Sequence, residues 1–216
     1  MTQEAKMLLG IGVATIALVL GAAFIFGRSS QAPLATEKVD ETLLVRNDSN
    51  KTGSPSAKVK LVEFGDYQCP ACSVVHVPVK QLVHDYSDKI LFVFRNYPLS
   101  QHQNALVAAE AAEAAGKQGK YWEMHDMLYE RQQEWGESKK AMDYFTGYAK
   151  EIGLDENTFT QDVKSNKFAA KIQADQDDGD ALGVNATPTF YINGQKFTDN
   201  LSYESLKKAI DAAMPK

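Results

Sequence analysis

Two cysteines three positions apart, in Cys69-Pro70-Ala71-Cys72, are the only thiols among 216 residues. A bridge between them closes a loop too short to staple distant parts of a fold, so they are placed for chemistry rather than scaffolding. If a helix begins at Pro70, the Cys69 sulfur lies against unpaired backbone N–H groups and the positive end of the helix, both of which favour a thiolate. Cys69 is therefore the candidate nucleophile. Pro70 suits the first helical position, because it has no N–H to leave unpaired and its φ is already helical. Ala71 completes the turn, and Cys72, half hidden one turn on, is the thiol that resolves a mixed disulfide.

Other chemistries fit less well. A CxxC can be half of a zinc site, but zinc normally takes four ligands and no second CxxC or H-x3-5-H is present; no metal and no cofactor are read from the sequence. Two buried core cysteines are a further reading, against which Pro70 and the preceding strand argue. His76 lies four residues beyond Cys72 and shares its helix face, and reads as a structural histidine. His84, His102 and His125 lie outside the motifs, and no G-x-S-x-G elbow supports a hydrolase. The formal charge of −5 disfavours nucleic acid as a partner.

The elements that must position the cysteines are legible in hydrophobic pattern. Residues 59–64 (VKLVEF) and 90–94 (ILFVF) have the apolar, β-branched content of strands, the second nearly continuous as for a central strand covered on both faces. Between them the CPAC segment opens a helix to about Tyr86, which Pro78 is expected to kink. From Asn104 to about Leu182 at least four helices are expected: Ala-rich 105–115 stops at Gly116, 121–132 repeats apolar residues at helical spacing, and Asp155 is placed to cap another. Residues 189–192 (TFYI) return to strand, Asn193-Gly194 signals a hairpin, and a last helix runs from about Tyr203 to Ala213. Residues 47–56 read as a turn-rich loop and 42–45 as an edge strand.

Glu63 on its strand, five intervening residues, CPAC, the helical stretch and GVNATPTFYING over 183–194 together resemble the DsbA-like thioredoxin family across roughly residues 40–214. The resemblance implies an α/β fold, a thioredoxin-like mixed sheet with an all-helical insertion at about 100–182, in a domain spanning 41–216. It also implies that Pro188 is cis and faces the CxxC, exposing the Thr187 backbone to a peptide substrate. Glu63 matches a buried acid that accepts or relays the proton of the resolving thiol, a placement that would raise its pKa; its alternative is a surface acid on an edge strand. Asp66 and Tyr67 read as loop residues framing the site. Trp122 and the run 121–130 resemble the family's helical domain and read as core. Ala71 stands where strongly oxidising members carry a histidine, which leaves the strength of oxidation open.

Residues 7–26 carry no charge over a length that matches the roughly 30 Å hydrocarbon core, so 1–28 is expected to be a transmembrane anchor and 29–40 a tether. A cleaved signal peptide is the rival, though its apolar stretch is usually about 7–15 residues. A dithiol meant to become a disulfide belongs in an oxidising compartment, which puts the catalytic domain outside the cytoplasm on a single-pass membrane protein. The leading function is a dithiol oxidase for cysteine-containing exported proteins, served by a membrane redox partner, a quinone-linked oxidase or an electron donor. A disulfide reductase or isomerase, and an anchored peptide-binding or chaperone module without turnover, are the competing functions. With no dimerisation segment visible between the anchor and residue 40, a monomer is expected.

Overall fold

The computed structural model describes residues 39–215. The segment read as an anchor, and most of the tether, lie outside these residues; among the described residues no helix is long and apolar enough to cross a membrane. Along the chain come helix α1 (Glu41–Leu44), strands β1 (Asn50–Gly53) and β2 (Val59–Gly65), helix α2 (Pro70–Asp85) and β3 (Ile90–Asn96). Six helices follow: α3 (Ala105–Lys117), α4 (Tyr121–Glu130), α5 (Gln132–Trp135), α6 (Ala141–Glu151), α7 (Glu156–Lys164) and α8 (Ala169–Ala181). The hairpin of β4 (Thr189–Ile192) and β5 (Gln195–Phe197), then α9 (Tyr203–Ala213), complete the domain. This is the thioredoxin-like mixed sheet with its helical insertion.

The sheet order is β1-β3-β2-β4-β5, with β2 and β3 parallel and the other pairings antiparallel. A parallel pair needs a crossover, which α2 supplies. Successive side chains of a strand point to opposite faces. Val59 and Leu61 of β2, with Ile90, Phe92 and Phe94 of β3, therefore enter the main core shared with α2 and the insertion. Val62, Phe64, Leu91 and Val93 enter a second core on the other face, with Tyr97, Val184 and Tyr191. Both strands are covered on two sides, which explains their unbroken apolar runs. Asn193 and Gly194 take φ of 47° and 84°, the left-handed pair that a two-residue hairpin requires.

Two expectations fail. Residues 42–45 are not an edge strand: Asp40 accepts a hydrogen bond from the Thr42 backbone N–H at 2.8 Å and caps the single turn of α1. The local cap outweighs the β-branched composition, and only Leu44 of that turn is buried. Residues 50–53, read as loop, form β1, paired antiparallel with β3 from Asn50 opposite Phe94 to Gly53 opposite Leu91. Its polar side chains carry no strand signature, so the open edge of β3 rather than intrinsic preference makes it a strand. Pro78 lies within α2 and does not end it; the carbonyl it leaves without a helical donor belongs to the largely exposed Val74. Asp155 caps α7 as expected, accepting from the Thr158 N–H at 2.7 Å.

Buried Arg95, at the end of β3, ties three elements together. It donates to Asp175 Oδ1 and Asp178 Oδ2 on α8, both at 2.6 Å, and to the carbonyls of Leu43 and Leu44 at 2.7 and 2.9 Å. The guanidinium has the planar fork needed to serve four acceptors at once.

Candidate active site

The register of the sheet brings two distant motifs together. Because β2 and β4 run antiparallel, the end of β2 that leads into the cysteines lies beside the start of β4: Phe64 pairs with Thr189 and Glu63 with Phe190. The residues just before β4 are Thr187-Pro188, joined by a cis peptide bond. Cys69 Sγ reaches the Thr187 carbonyl at 3.3 Å, so the CxxC turn and the proline loop touch. Thr187, whose backbone the resemblance implies is exposed, is a buried residue whose carbonyl faces the Cys69 sulfur.

Cys69 is the N-cap of α2, in extended conformation, and Pro70 opens the helix. Pro70 and Ala71 are exposed, while the two cysteines are buried free thiols. Their environments differ sharply. The Cys69 thiol is pushed down to about 5, first by a hydrogen bond from Cys72 and further by the backbone N–H groups of Cys72 and Ala71, against the cost of burial. Burial pushes Cys72 well up, and the neighbouring Cys69 and Glu63 add to the shift. At neutral pH the pair is one thiolate and one thiol.

Glu63 sits on the main-core side of β2, between β3 and β4, only 3% exposed. It is not a surface acid on an edge strand. Burial, then the charge of Cys69, pushes its carboxyl up to about 8, so it is protonated at neutral pH. A carboxyl titrating near neutrality beside a thiol that must lose its proton has the right value for a general base.

The turn before Cys69 is held by groups that motif reasoning passed over. Asp66 Oδ1 accepts from the Gln68 N–H at 2.7 Å, and its Oδ2 accepts from the Leu99 N–H at 2.8 Å and bonds His102 Nδ1 at 2.7 Å. Gln132, at the start of α5, donates Nε2 to the carbonyls of Tyr67 and Cys69 at 2.7 and 2.9 Å. Gln68 donates to the Gly136 carbonyl at 2.7 Å and accepts from the Asn104 N–H at 2.6 Å. The insertion thus grips the active turn through Gln132, Asn104 and Gly136. No sequence signal marks these residues, since a polar side chain that meets a backbone carbonyl across more than 60 residues has no period or spacing. Asp66 and Tyr67 do frame the site, both buried rather than in an open loop.

Of the other histidines, His84 is exposed, with its side chain 88% accessible. His76 and His125 are buried against each other, His76 one turn beyond Cys72 on α2. Trp122 packs on the main core, as read from the sequence.

The thioredoxin family model matches residues 47–212. The chain belongs to the thioredoxin family. Within that family its form is DsbA-like: BdbD of Bacillus subtilis, solved in its oxidised state, is 26% identical with a TM-score of 0.68, covering 76% of this chain and 92% of that one. A thioredoxin-like oxidoreductase from Silicibacter pomeroyi is 29% identical with a TM-score of 0.68, over 81% of this chain and 98% of its own. A Bacillus cereus protein described as a probable disulfide bond formation protein D is 35% identical over 76% of this chain and 78% of that one. A second group of relatives carries the name sodium/proton antiporter NhaA; that of Salinispora arenicola is 36% identical over 98% of this chain. The thioredoxin-family chain described here spans about a third of that relative's length.

Proposed function

We propose that this chain is an extracytoplasmic thiol–disulfide oxidoreductase that works as a dithiol oxidase on exported proteins. The observation that carries the reading is the asymmetry of the pair, with Cys69 pushed down to about 5 and Cys72 held well above the ordinary thiol range. A thiol of low pKa is a good leaving group, and the stability of its thiolate favours the reduced enzyme, which makes the disulfide an oxidant. A substrate thiolate attacks Cys69 of the Cys69–Cys72 disulfide, the S–S bond breaks, and Cys72 takes the electron pair and a proton. A second substrate thiolate attacks its own sulfur in the mixed disulfide and expels Cys69 as thiolate. Substrate loses two electrons and two protons and gains a disulfide; the enzyme takes both electrons and one proton, ending as the thiolate–thiol pair described above, and the second proton passes to solvent. Thr187, whose carbonyl faces Cys69, is placed to align the substrate backbone, and Glu63 to hold the Cys72 proton.

The uncharged run at 7–26 supports a membrane anchor, and an oxidising compartment is where a disulfide of this kind persists. Tethering would raise the local concentration of a membrane-embedded, quinone-linked oxidase that recharges the monomeric enzyme. A reductase is the second reading, favoured by Ala71, which offers no side-chain cation to the thiolate. The reduction potential against glutathione separates them: about −120 mV marks an oxidant and about −270 mV a reductase. Cys69→Ser abolishes turnover under either reading; activity that survives it would leave a peptide-binding module.

A further inference from the structure

We propose that His76, His125 and Asp126 form a binding site for a divalent transition-metal ion of the zinc class, separate from the cysteine pair. His76 lies on α2, one helical turn beyond Cys72, and the other two lie on α4; their ligand atoms come within 4.8 Å of one another. Both imidazoles are buried, at 5% and 3% exposure. His76 Nε2 has no hydrogen-bond partner among the described residues, although it is fully enclosed. A buried ring nitrogen left in that state is costly unless something takes it up. It points at Asp126 Oδ1 across 3.5 Å. Zinc bonds of about 2.0–2.1 Å in tetrahedral array separate neighbouring ligand atoms by about 3.4 Å.

The second histidine is already oriented. His125 Nδ1 is hydrogen-bonded to the Tyr67 hydroxyl at 3.0 Å, and that hydroxyl to Tyr121 at 3.0 Å, which leaves Nε2 as the nitrogen available to a ligand. A metal-binding histidine usually has its other nitrogen engaged in this way. The three residues line a cavity of about 140 Å³ that also touches Thr52 and Trp122, room for an ion and a water. Drawing the set to bonding distance needs side-chain shifts on the order of an ångström.

Two imidazoles and one carboxylate suit zinc and its neighbours rather than calcium or magnesium, which take oxygen ligands. Lys80 tunes the site. Its ammonium holds Asp126 Oδ2 at 2.7 Å and Glu130 Oε1 at 2.6 Å, leaving Oδ1 free but opposing a cation nearby. The ion would join α2, which carries the cysteines, to α4 of the insertion. Positions 76 and 125 are too far apart in the chain for any ligand spacing to announce the site.

The test is titration of the full chain with zinc chloride, with the Cys69–Cys72 pair oxidised so that no thiolate can bind. One ion per chain is expected, and cobalt(II) in its place should give the visible absorption of a tetrahedral site. Asp126→Asn, at a partly exposed position, should weaken binding by about 10-fold or more. Lys80→Met should strengthen it several-fold, a gain that loss of structure cannot produce. Magnesium chloride should not compete. Absence of saturable zinc binding to the oxidised chain, or affinity unchanged by both substitutions, overturns the proposal.

Discussion

Reduction of the Cys69–Cys72 disulfide takes two electrons and, for two ordinary thiols, two protons; each proton contributes about 30 mV per pH unit to a two-electron potential. With Cys69 ionised above about 5 and Cys72 held well above the ordinary range, only one proton is taken up between those limits. The potential should therefore fall by about 30 mV per pH unit between about pH 6 and 7.5, and by about 60 mV per unit below about pH 5. Glu63, pushed up to about 8 partly by the Cys69 charge, loses that contribution when the sulfur enters a disulfide, and so adds a fraction of a proton near its own value. Glu63→Gln should remove this fraction and straighten the line. At pH 7, two pH units above the Cys69 value of about 5, the thiolate favours the reduced pair by about 2.7 kcal/mol before screening. Cys69, though buried, adjoins the exposed Pro70 and Ala71, and if about half survives, the pair is about 30 mV more oxidising than one made of ordinary thiols. Because the folded value is depressed, the same term stabilises the reduced protein above the ordinary thiol range and is lost as pH falls through about 5. Glutathione equilibration over a pH series, with the reduced fraction read by alkylation and mass, measures the slope. A fall of about 60 mV per unit throughout pH 6 to 8 would mean that Cys69 is a neutral thiol there, and the reasoning would fail.

Glu63→Gln should slow attack by Cys72 on a mixed disulfide by about 10²-fold while leaving alkylation of Cys69 intact, as stopped-flow and trapping experiments would show; unchanged resolution would remove Glu63 from proton transfer. Arg95→Met removes the enclosed guanidinium that joins Asp175 and Asp178, leaving only Arg46 at 3.2 Å from Asp178 and Lys171 at 3.7 Å from Asp175, and should cost about 3–5 kcal/mol in urea unfolding, with a loss under about 1 kcal/mol contradicting the network. Gln132→Ala strips the hydrogen bonds to the Tyr67 and Cys69 carbonyls and should cost about 1–3 kcal/mol and loosen the turn, seen as faster amide exchange at residues 67–69. Equal exchange in the variant would mean that the insertion does not hold the active turn.

What could be read in advance was whatever local chemistry decides. The apolar runs of β2 and β3, the Pro70 helix start, the Asp155 cap and the Asn193-Gly194 hairpin each rest on residues within a few positions of one another. The place of Thr187-Pro188 beside Cys69 came from resemblance, and the pairing of Phe64 with Thr189 is its physical cause. The misreadings have two origins, one distant in the chain and one local. The polar segment of β1 is a strand only because β3 offers an open edge, and 42–45 is a helical turn because Asp40 supplies a local acceptor. Gln68, Asn104 and Gln132 needed the third dimension altogether, as their partners lie 36 to 68 residues away along the chain.

Two identical side chains three residues apart behave oppositely because a helix start has two sides. Cys69 stands just outside α2, where N–H groups are still unpaired; Cys72 stands inside, fully buried in the core. The three groups also act on one another: the Cys69 thiolate raises both Glu63 and Cys72, so the reduced cluster carries a single negative charge at neutral pH, on Cys69. When Cys69 enters a mixed disulfide that charge disappears, Glu63 ionises more readily, and the acceptor for the Cys72 proton arises at the moment when Cys72 must become a nucleophile. The coupling makes resolution conditional on substrate capture, which is the order of events that a disulfide-exchange site requires.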